Sequence, residues 1–406
     1  MKLLQINTTL NTTSTGRITE EIGLCAMVHG FDSYVACRRV GQIGSRSQTI
    51  KIGSNFDRYL HGFKTRLLDR HGFGSKRSTQ RLIKKIRKID PDVIGLHNLH
   101  GYYLNIKILF GYLKKVQKPV VWTFHDCWPF TGHCVYFDRV SCEKWKTECR
   151  NCPMKTFYPA SYGLDQSNRN FHDKKRLFTA LNNLTIVTPS HWLRELVEKS
   201  FLADYPVEVI HNGIDLEVFR PGRDHLPEEV QKLKKKIILG VASVWDDRKG
   251  LAEFEKLAPL LDEQYQVVLV GLSEAQIREL PKTIIGIART ENVQQLASLY
   301  SAAEVFVNPT FSDNFPTTNI EALACGTPVV TYNTGGSPEA IDEETGVVVN
   351  QGDVEALKKA IEKTSNRGGA TYQQKCRQHA LNHFNKDDRF LDYLKLYEKM
   401  MGNQSQ

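Results

Sequence analysis

Short apolar runs rich in β-branched residues alternate along this chain with stretches of helical spacing, and that alternation leaves few folds open. In the first half the runs are "KLLQIN", "SYVAC", "DVIGLHN", "VVWTFHD" and "TIVTPS"; in the second they are "KIILGVAS", "YQVVLVGL", "TIIGIA", "EVFVNPT", "PVVTYN" and "TGVVV". Each ends in polar or glycine-containing residues, and helical patterns such as "ALKKAIEKT" follow. Strands spaced in this way pair in parallel through crossover helices, so the expected fold is α/β with two doubly wound parallel-sheet domains. A length of 406 residues at 41% hydrophobic content is enough for two such cores.

The seam is expected within "VEVIHNGIDLEVFRPGRDHLPEEVQKLKKK", where a strand gives way to turn residues, two prolines and a charged helix. The domains are then 1–214 and 215–385, with 386–406 as a C-terminal amphipathic helix, "DDRFLDYLKLYEKMMG", that can cross back to the first domain. The start, "MKLLQINTTLNTTSTG", lacks the long apolar region of a secretory signal, and no window approaches the roughly 20 apolar residues of a membrane span. A reducing cytoplasm is the expected location, where cysteines are free thiols or metal ligands more often than disulfides.

The net charge of +9 is concentrated: Arg58 to Lys88 carries eleven Lys or Arg and one acid, Asp69, a local +10 that leaves the remainder at −1. Within it, "KRSTQRLIKKIRKID" sets Leu82, Ile83, Ile86 and Ile89 at helical spacing with cations between. That apolar face either packs on the domain or meets a bilayer, while the other face meets phosphates. A solvated helix face is the ordinary alternative. Aromatic residues are not interleaved with the cations beyond the few near Phe73, which disfavours a nucleic-acid partner; an anionic membrane surface is the expected one.

In open α/β sheets ligands sit beyond the carboxyl ends of the strands, so strand-to-loop junctions are where chemistry is read. In "NPTFSDNFPTTNIEALACGTPVV", Pro316 suits a first helical turn and Gly326 a helix end, which puts Glu321 inside a short helix. The N–H groups of Thr317 and Thr318 then favour an anion at the helix N-terminus, and Asn314 and Phe315 complete the expected donor-binding set. Asp313 stands eight positions before Glu321, about 12 Å as helix rise, a span suited to two carboxylates on opposite ends of a nucleotide-sugar. In "GVASVWDDRKG" a strand ends at Ala242 or Ser243, and Arg248 and Lys249 follow before Gly250. Paired cations there hold a diphosphate and stabilise the charge it gains as a leaving group. In "NTTSTGRI", Gly16 and Arg17 follow the first strand, where backbone can approach a phosphate, although GxGxxG is absent. Taken singly, each has a plainer reading as a capping acid, a surface pair or an ordinary turn.

Together, "VIHNGIDLEVFRP", "GVASVWDDRKG", "LYSAAEVFVNPTFSDNFPTTNIEALACGTPVV" and "TGGSPEAI", in this order, resemble the family 4 retaining glycosyltransferases. The resemblance covers nearly the whole chain and is strongest in the second half. It implies the GT-B fold, two Rossmann-like domains facing each other across a donor-binding cleft. It also implies that Glu321 holds the ribose hydroxyls, that Asp313 touches the transferred sugar, and that Arg248 and Lys249 are the family's basic pair. His125 and Asp126 fall on its first-domain His-Asp, with His125 lining the sugar site. Asp313 is one methylene shorter than the usual glutamate, and Pro316 stands where many members have glycine and removes an amide donor; both bear on the choice of donor sugar.

"HDCWPFTGHC" and the cysteines after it look most like the branch that builds colanic-acid-type and capsular polysaccharides. That branch implies a lipid-linked saccharide acceptor and a peripheral site at the inner face of the cytoplasmic membrane. The implied reaction moves a hexosyl unit from a nucleoside-diphosphate sugar, a UDP-sugar by preference, to an acceptor hydroxyl with retention of configuration and no required cofactor. "DPD" at Asp90 to Asp92 precedes a strand instead of ending one, so it does not serve as a metal-binding DxD. A front-face route, with the leaving phosphate helping to deprotonate the acceptor, is preferred to a double displacement, which needs a carboxylate nucleophile. Rivals are a sugar-nucleotide epimerase, a phosphorylase or a non-catalytic sugar-nucleotide-binding scaffold.

Five of the nine cysteines fall in an expected insertion at 127–153. Cys127 packs near a strand end. Cys134, Cys142, Cys149 and Cys152 form a separate set, of which only the last two have C-x2-C spacing. A structural zinc site, buried thiols and a disulfide stay open for them, in that order.

Overall fold

A computed structural model describes residues 1–402, and in it thirteen strands pair in parallel in two sheets. The first sheet contains β1 (Lys2–Leu10), β2 (Asp32–Val40), β3 (Gln48–Lys51), β4 (Val93–Leu96), β5 (Val120–Thr123), β6 (Leu184–Thr188) and β7 (Val207–Val209). The second contains β8 (Lys236–Val241), β9 (Tyr265–Val270), β10 (Ile284–Ile287), β11 (Ala303–Asn308), β12 (Val329–Tyr332) and β13 (Gly346–Val349). Their orders are β3-β2-β1-β4-β5-β6-β7 and β10-β9-β8-β11-β12-β13. The central strands "VIGL", "VVWT" and "LTIVT" are buried at every position, as strands covered by helices on both faces must be.

Each order reverses once, between β1 and β4 and between β8 and β11. β1 meets β4 from Leu3 opposite Val93 to Ile6 opposite Leu96, and β8 meets β11 from Ile237 opposite Ala303 to Leu239 opposite Phe306. Loops leaving neighbouring strands in opposite directions open a crevice at such a reversal, the usual ligand position in these folds. Each sheet belongs to its own compact unit, Met1–His211 together with the chain from Asp387, and Asn212–Lys386. The helix Lys386–Gly402 sets Phe390, Tyr393, Leu394 and Tyr397 against Leu3, Val93, Val121 and Val187 of the first core.

Three local readings change. β3 carries only one buried residue, Ile50, so its apolar signal is too weak to mark it as a strand. The expected charged helix before β8 is a single turn, Glu228–Gln231, because the lysines after it are exposed like charges with little apolar surface to bury. The helix Lys76–Ile89 buries Leu82, Ile83 and Ile86 in the first core, so its apolar face packs on the domain and its cations point outward. The free apolar face belongs instead to the helix Asn55–Leu68. There Phe56, Tyr59, Leu60, Phe63 and Leu67 share one face and are 43–74% exposed, while only His61 and Thr65 are buried. Exposed Tyr162 and Leu164 extend the patch, their N–H groups donating to the Arg66 and Leu67 carbonyls at 2.8 and 2.9 Å.

Candidate functional site

The loops leaving β8 and β11 meet at the second switch point, and backbone packing brings their charged residues together. The Asp246 carboxylate accepts from the Lys249 N–H at 3.1 Å, which shapes the turn Asp247–Lys249, and Gly250 ends it at φ +77°. Only glycine fits: a Cβ there would stand 2.2 Å from the Pro309 carbonyl oxygen. With the loops this close, the Phe311 N–H donates to the Arg248 carbonyl at 2.7 Å and the Arg248 guanidinium donates to the Ser312 carbonyl at 2.9 Å. The Lys249 ammonium then reaches the Asp313 carboxylate, and both side chains are largely covered, 18% and 14% exposed. Gly335, at φ +56°, presses from the other side; a Cβ would lie 1.8 Å from the Asp313 carbonyl oxygen, which accepts the Gly336 N–H at 3.3 Å.

Asp313 is therefore a loop residue, and its separation from Glu321 is not a helix rise. The helix Thr317–Ala324 begins after Pro316, which is its cap, at φ −68° and ψ 119°, and not a member of its first turn. No side chain caps it, so the amides of Thr317 and Thr318 are left without intrahelical acceptors, and both residues are half-exposed. Buried side chains fix the helix from below: Asn308 Nδ2 donates to Asn319 Oδ1 at 2.8 Å, and Asn319 Nδ2 donates to the Ser337 carbonyl and hydroxyl at 3.1 and 3.0 Å. Glu321 is 6% exposed and accepts from the Tyr300 hydroxyl at 3.0 Å.

At the first sheet's switch point, the Thr8 hydroxyl lies 3.0 Å from the Asn98 carbonyl and 2.6 Å from that of His100, tying the ends of β1 and β4. Beyond β5, His125 Nε2 lies 3.2 Å from His97 Nδ1, and His97 Nε2 lies 3.0 Å from Gln5 Oε1. Burial pushes His125 down to about 4, with His100 adding to the effect, so its imidazole is neutral at pH 7. Asp126 sits 2.7 Å from His100 Nε2, and His100 Nδ1 is 3.1 Å from the Tyr158 hydroxyl. Burial works against the Asp126 carboxylate, but His100 and the Trp128 N–H outweigh it and hold that carboxyl below the usual range.

Residues 17–218 match the family described as Glycosyltransferase Family 4, and residues 235–367 the family described as Glycosyl transferases group 1. The chain belongs to these glycosyltransferases. WcaC of Escherichia coli (strain K12), named as a colanic acid biosynthesis glycosyl transferase, is 27% identical over 299 residues, 71% of each chain. Sucrose-phosphate synthase of Thermosynechococcus elongatus shares the fold with a TM-score of 0.73 at 18% identity, over 99% of this chain and 100% of the other. HepE of Anabaena, solved with UDP-glucose, does so with a TM-score of 0.63 at 14% identity, over 97% and 99%. The fold of this glycosyltransferase is GT-B.

In the glycosyltransferase, Arg248, Lys249 and Asp313 meet in one crevice, with Thr317, Thr318 and Glu321 on the helix that follows. Other expected residues stand differently. Phe315 packs its ring in the core, 5.9 Å from Phe384, and offers a ligand only backbone. Asn314 is buried and donates its N–H to Asp313 Oδ1 at 2.9 Å. β8 ends at Val241, and Ser243 is exposed in the loop beyond it. Gly16 lies within the first turn of the helix Ser14–Val28, where its N–H is taken by the Thr13 hydroxyl at 3.3 Å; Arg17 beside it is exposed. Tyr300, His97 and His100 were not singled out. Nothing in sequence marks Tyr300, whereas two histidines at the end of a switch-point strand, in "GLHNLHG", are a usable signal. Among the described residues no disulfide joins any of the nine cysteines, and Cys134, Cys142, Cys149 and Cys152 line one pocket. No helix among the described residues is long and apolar enough to cross a membrane.

Proposed function

We propose that this glycosyltransferase moves a hexosyl unit from a nucleoside-diphosphate sugar, a UDP-sugar by preference, to a hydroxyl of a lipid-linked oligosaccharide in polysaccharide biosynthesis. Configuration is retained and no metal ion is required. The observation that carries the reading is the meeting of Arg248, Lys249 and Asp313 at the β8/β11 switch point, next to an uncapped helix N-terminus. Arg248 and Lys249 take the diphosphate and stabilise the charge that grows as the sugar–phosphate bond breaks, and the amides of Thr317 and Thr318 add the positive end of their helix. Lys249 exchanges Asp313 for phosphate, and the freed Asp313 accepts from a sugar hydroxyl. Glu321, oriented by Tyr300, accepts from the ribose hydroxyls. His125 keeps the role the resemblance gives it, a contact to the transferred sugar. A leaving phosphate oxygen takes the acceptor proton on the face it has just vacated. The likeness to HepE supports a uridine donor, and that to WcaC supports a polysaccharide product.

Access to a lipid-linked acceptor is assigned to the helix Asn55–Leu68. Its exposed apolar face enters the bilayer interface, while Lys64 and Arg66 beside it and the outward Lys76, Arg77, Arg81, Lys84, Lys85 and Lys88 meet anionic headgroups. Each such cation contributes about 1 kcal/mol near an anionic surface. A thermal-shift panel of UDP-, GDP- and ADP-sugars tests the donor reading, because a ligand of the native state raises the melting temperature by mass action. Stabilisation by UDP-sugars is expected. No response to any nucleotide-sugar would sink the proposal.

A further inference from the structure

The segment from Cys127 to Asp165 holds its shape with little regular backbone structure: three short turns, Trp128–Phe130, Asp138–Val140 and Lys144–Lys146, and no strand or α-helix. At its centre lies a pocket lined by Cys134, Cys142, Cys149, Cys152 and His133. Two of these thiols are positioned by backbone. The Gly132 N–H donates to Cys149 Sγ at 3.2 Å, and a Cβ on Gly132 would stand 2.7 Å from Cys149 Cβ and 2.2 Å from the Ser167 carbonyl oxygen. The Cys152 N–H donates to Asp165 Oδ2 at 2.6 Å. Between them the C-x2-C turn is fixed by Asn151 at φ +47° and by Lys144 Nζ, which donates to the Arg150 and Asn151 carbonyls, both at 3.0 Å.

His133 is the independent sign of a ligand. Its side chain is fully covered, its Nδ1 lies 2.5 Å from Asp69 Oδ1, and its Nε2 is buried without a well-formed hydrogen bond, with only the Phe157 backbone near it. Asp69 is in turn held by the Gln166 N–H at 2.8 Å. A buried nitrogen left unpaired costs about 1–3 kcal/mol. An imidazole with one nitrogen on a carboxylate and the other bare is the arrangement that orients a metal-binding histidine. Apolar burial does not explain Cys142, Cys149 and Cys152, which are half-exposed, although Cys134 is buried like the core thiols Cys37, Cys127 and Cys376.

We propose that this pocket is a structural zinc site, with the thiolates of Cys134, Cys149 and Cys152 as ligands and the fourth position taken by His133 Nε2 or Cys142. Among the described residues no three of these donor atoms lie within 4.8 Å of one another. Sulfurs about a tetrahedral zinc stand roughly 3.8 Å apart, from a Zn–S bond of about 2.3 Å, so the ion draws the segment inward as the thiols release their protons. The segment also borders the first switch point: Asp126 just before it and Tyr158 within it both reach His100. The ion thus stabilises the loop that sets these partners, and it takes no part in sugar transfer.

The test is metal analysis of the full chain purified from zinc-supplemented cells without chelator. About one zinc per chain is expected, with X-ray absorption showing a sulfur shell near 2.3 Å. Cys149→Ser and Cys152→Ser should lose the ion and melt earlier, while Cys37→Ser should keep it. His133→Gln and Cys142→Ser identify the fourth ligand, since one of them must lose or weaken zinc; full zinc in both overturns the site as described. Should the serine variants fail to fold, the wild-type protein still decides. A zinc-free preparation whose melting is unmoved by added zinc, or an absorption spectrum without sulfur neighbours, overturns the proposal.

Discussion

Replacing Asp313 with asparagine should have opposite effects on donor binding and on turnover. In the resting chain the Lys249 ammonium is engaged by Asp313, and both side chains are only 14–18% exposed, so the contact is stronger than a surface pair and weaker than a fully buried one. That places its worth between the 0–1 kcal/mol of exposed pairs and the larger losses of buried ones, at about 1 kcal/mol. A diphosphate that recruits Lys249 must first break this contact. Asp313→Asn keeps the size of the side chain and an oxygen for the Asn314 N–H, but releases the lysine. Nucleoside-diphosphate affinity should rise about fivefold, the equivalent of roughly 1 kcal/mol. Turnover should fall, because the contact to the transferred sugar is weakened. Lys249→Ala should lower both, with kcat down by about 10² to 10³, the loss seen when one donor to a developing charge is removed. Calorimetric titration with UDP and steady-state transfer kinetics read the two effects separately. Unchanged or weaker UDP binding by Asp313→Asn would refute the exchange of partners at Lys249.

Acid should destabilise the first unit early. Burial pushes His61 and His125 down to about 4 and holds His71 and His97 well below their ordinary value, whereas an unfolded histidine titrates near 6.5. The unfolded chain therefore binds more protons below pH 6.5, and stability falls as pH drops from 6.5 towards 4, by up to roughly 1.4 kcal/mol per unit for each group. A urea midpoint that is flat between pH 6.5 and 5 would contradict this. For the membrane, wild-type protein should bind anionic liposomes with a salt-sensitive and a salt-resistant part, and glutamate at Lys76, Arg77, Lys84 and Lys85 should abolish the salt-sensitive part. Phe56→Ser with Phe63→Ser should weaken the salt-resistant part, and transfer to a soluble acceptor analogue should survive either set. Protein that ignores anionic liposomes even at low ionic strength would remove the assignment.

Much of this was legible in the order of residues. In the second sheet β8, β9, β11 and β12 read clearly because every residue of "IILG", "VVLV", "VFVN" and "VVTY" is buried, and β13 reads through its run of valines although it is largely uncovered, whereas β3 has neither signal beyond Ile50. Arg248, Lys249 and Asp313 were found because they follow strands. Their contact was not, since it depends on Gly250 and Gly335 letting separate loops touch, which spacing along one segment cannot reveal. Phe315 and Tyr300 failed for the same reason: one turns into the core and the other reaches Glu321 from a different helix. Charge pattern pointed to the helix Lys76–Ile89 as the apolar and basic surface. Burial decided otherwise, since that helix spends its apolar face on the core and the helix Asn55–Leu68 does not.

Glu321→Gln gives the most direct test of donor recognition by the second unit. Glutamine keeps an oxygen for the buried Tyr300 hydroxyl, as alanine does not, so the helix Thr317–Ala324 should hold and melting should be unchanged. Loss of a charged acceptor for the ribose hydroxyls should weaken UDP-sugar binding by about 1.5–3 kcal/mol, roughly 10- to 150-fold. Titration of the wild-type and variant proteins with the same UDP-sugar, alongside their melting curves, measures it. A well-folded Glu321→Gln protein with wild-type affinity and wild-type transfer would contradict the account.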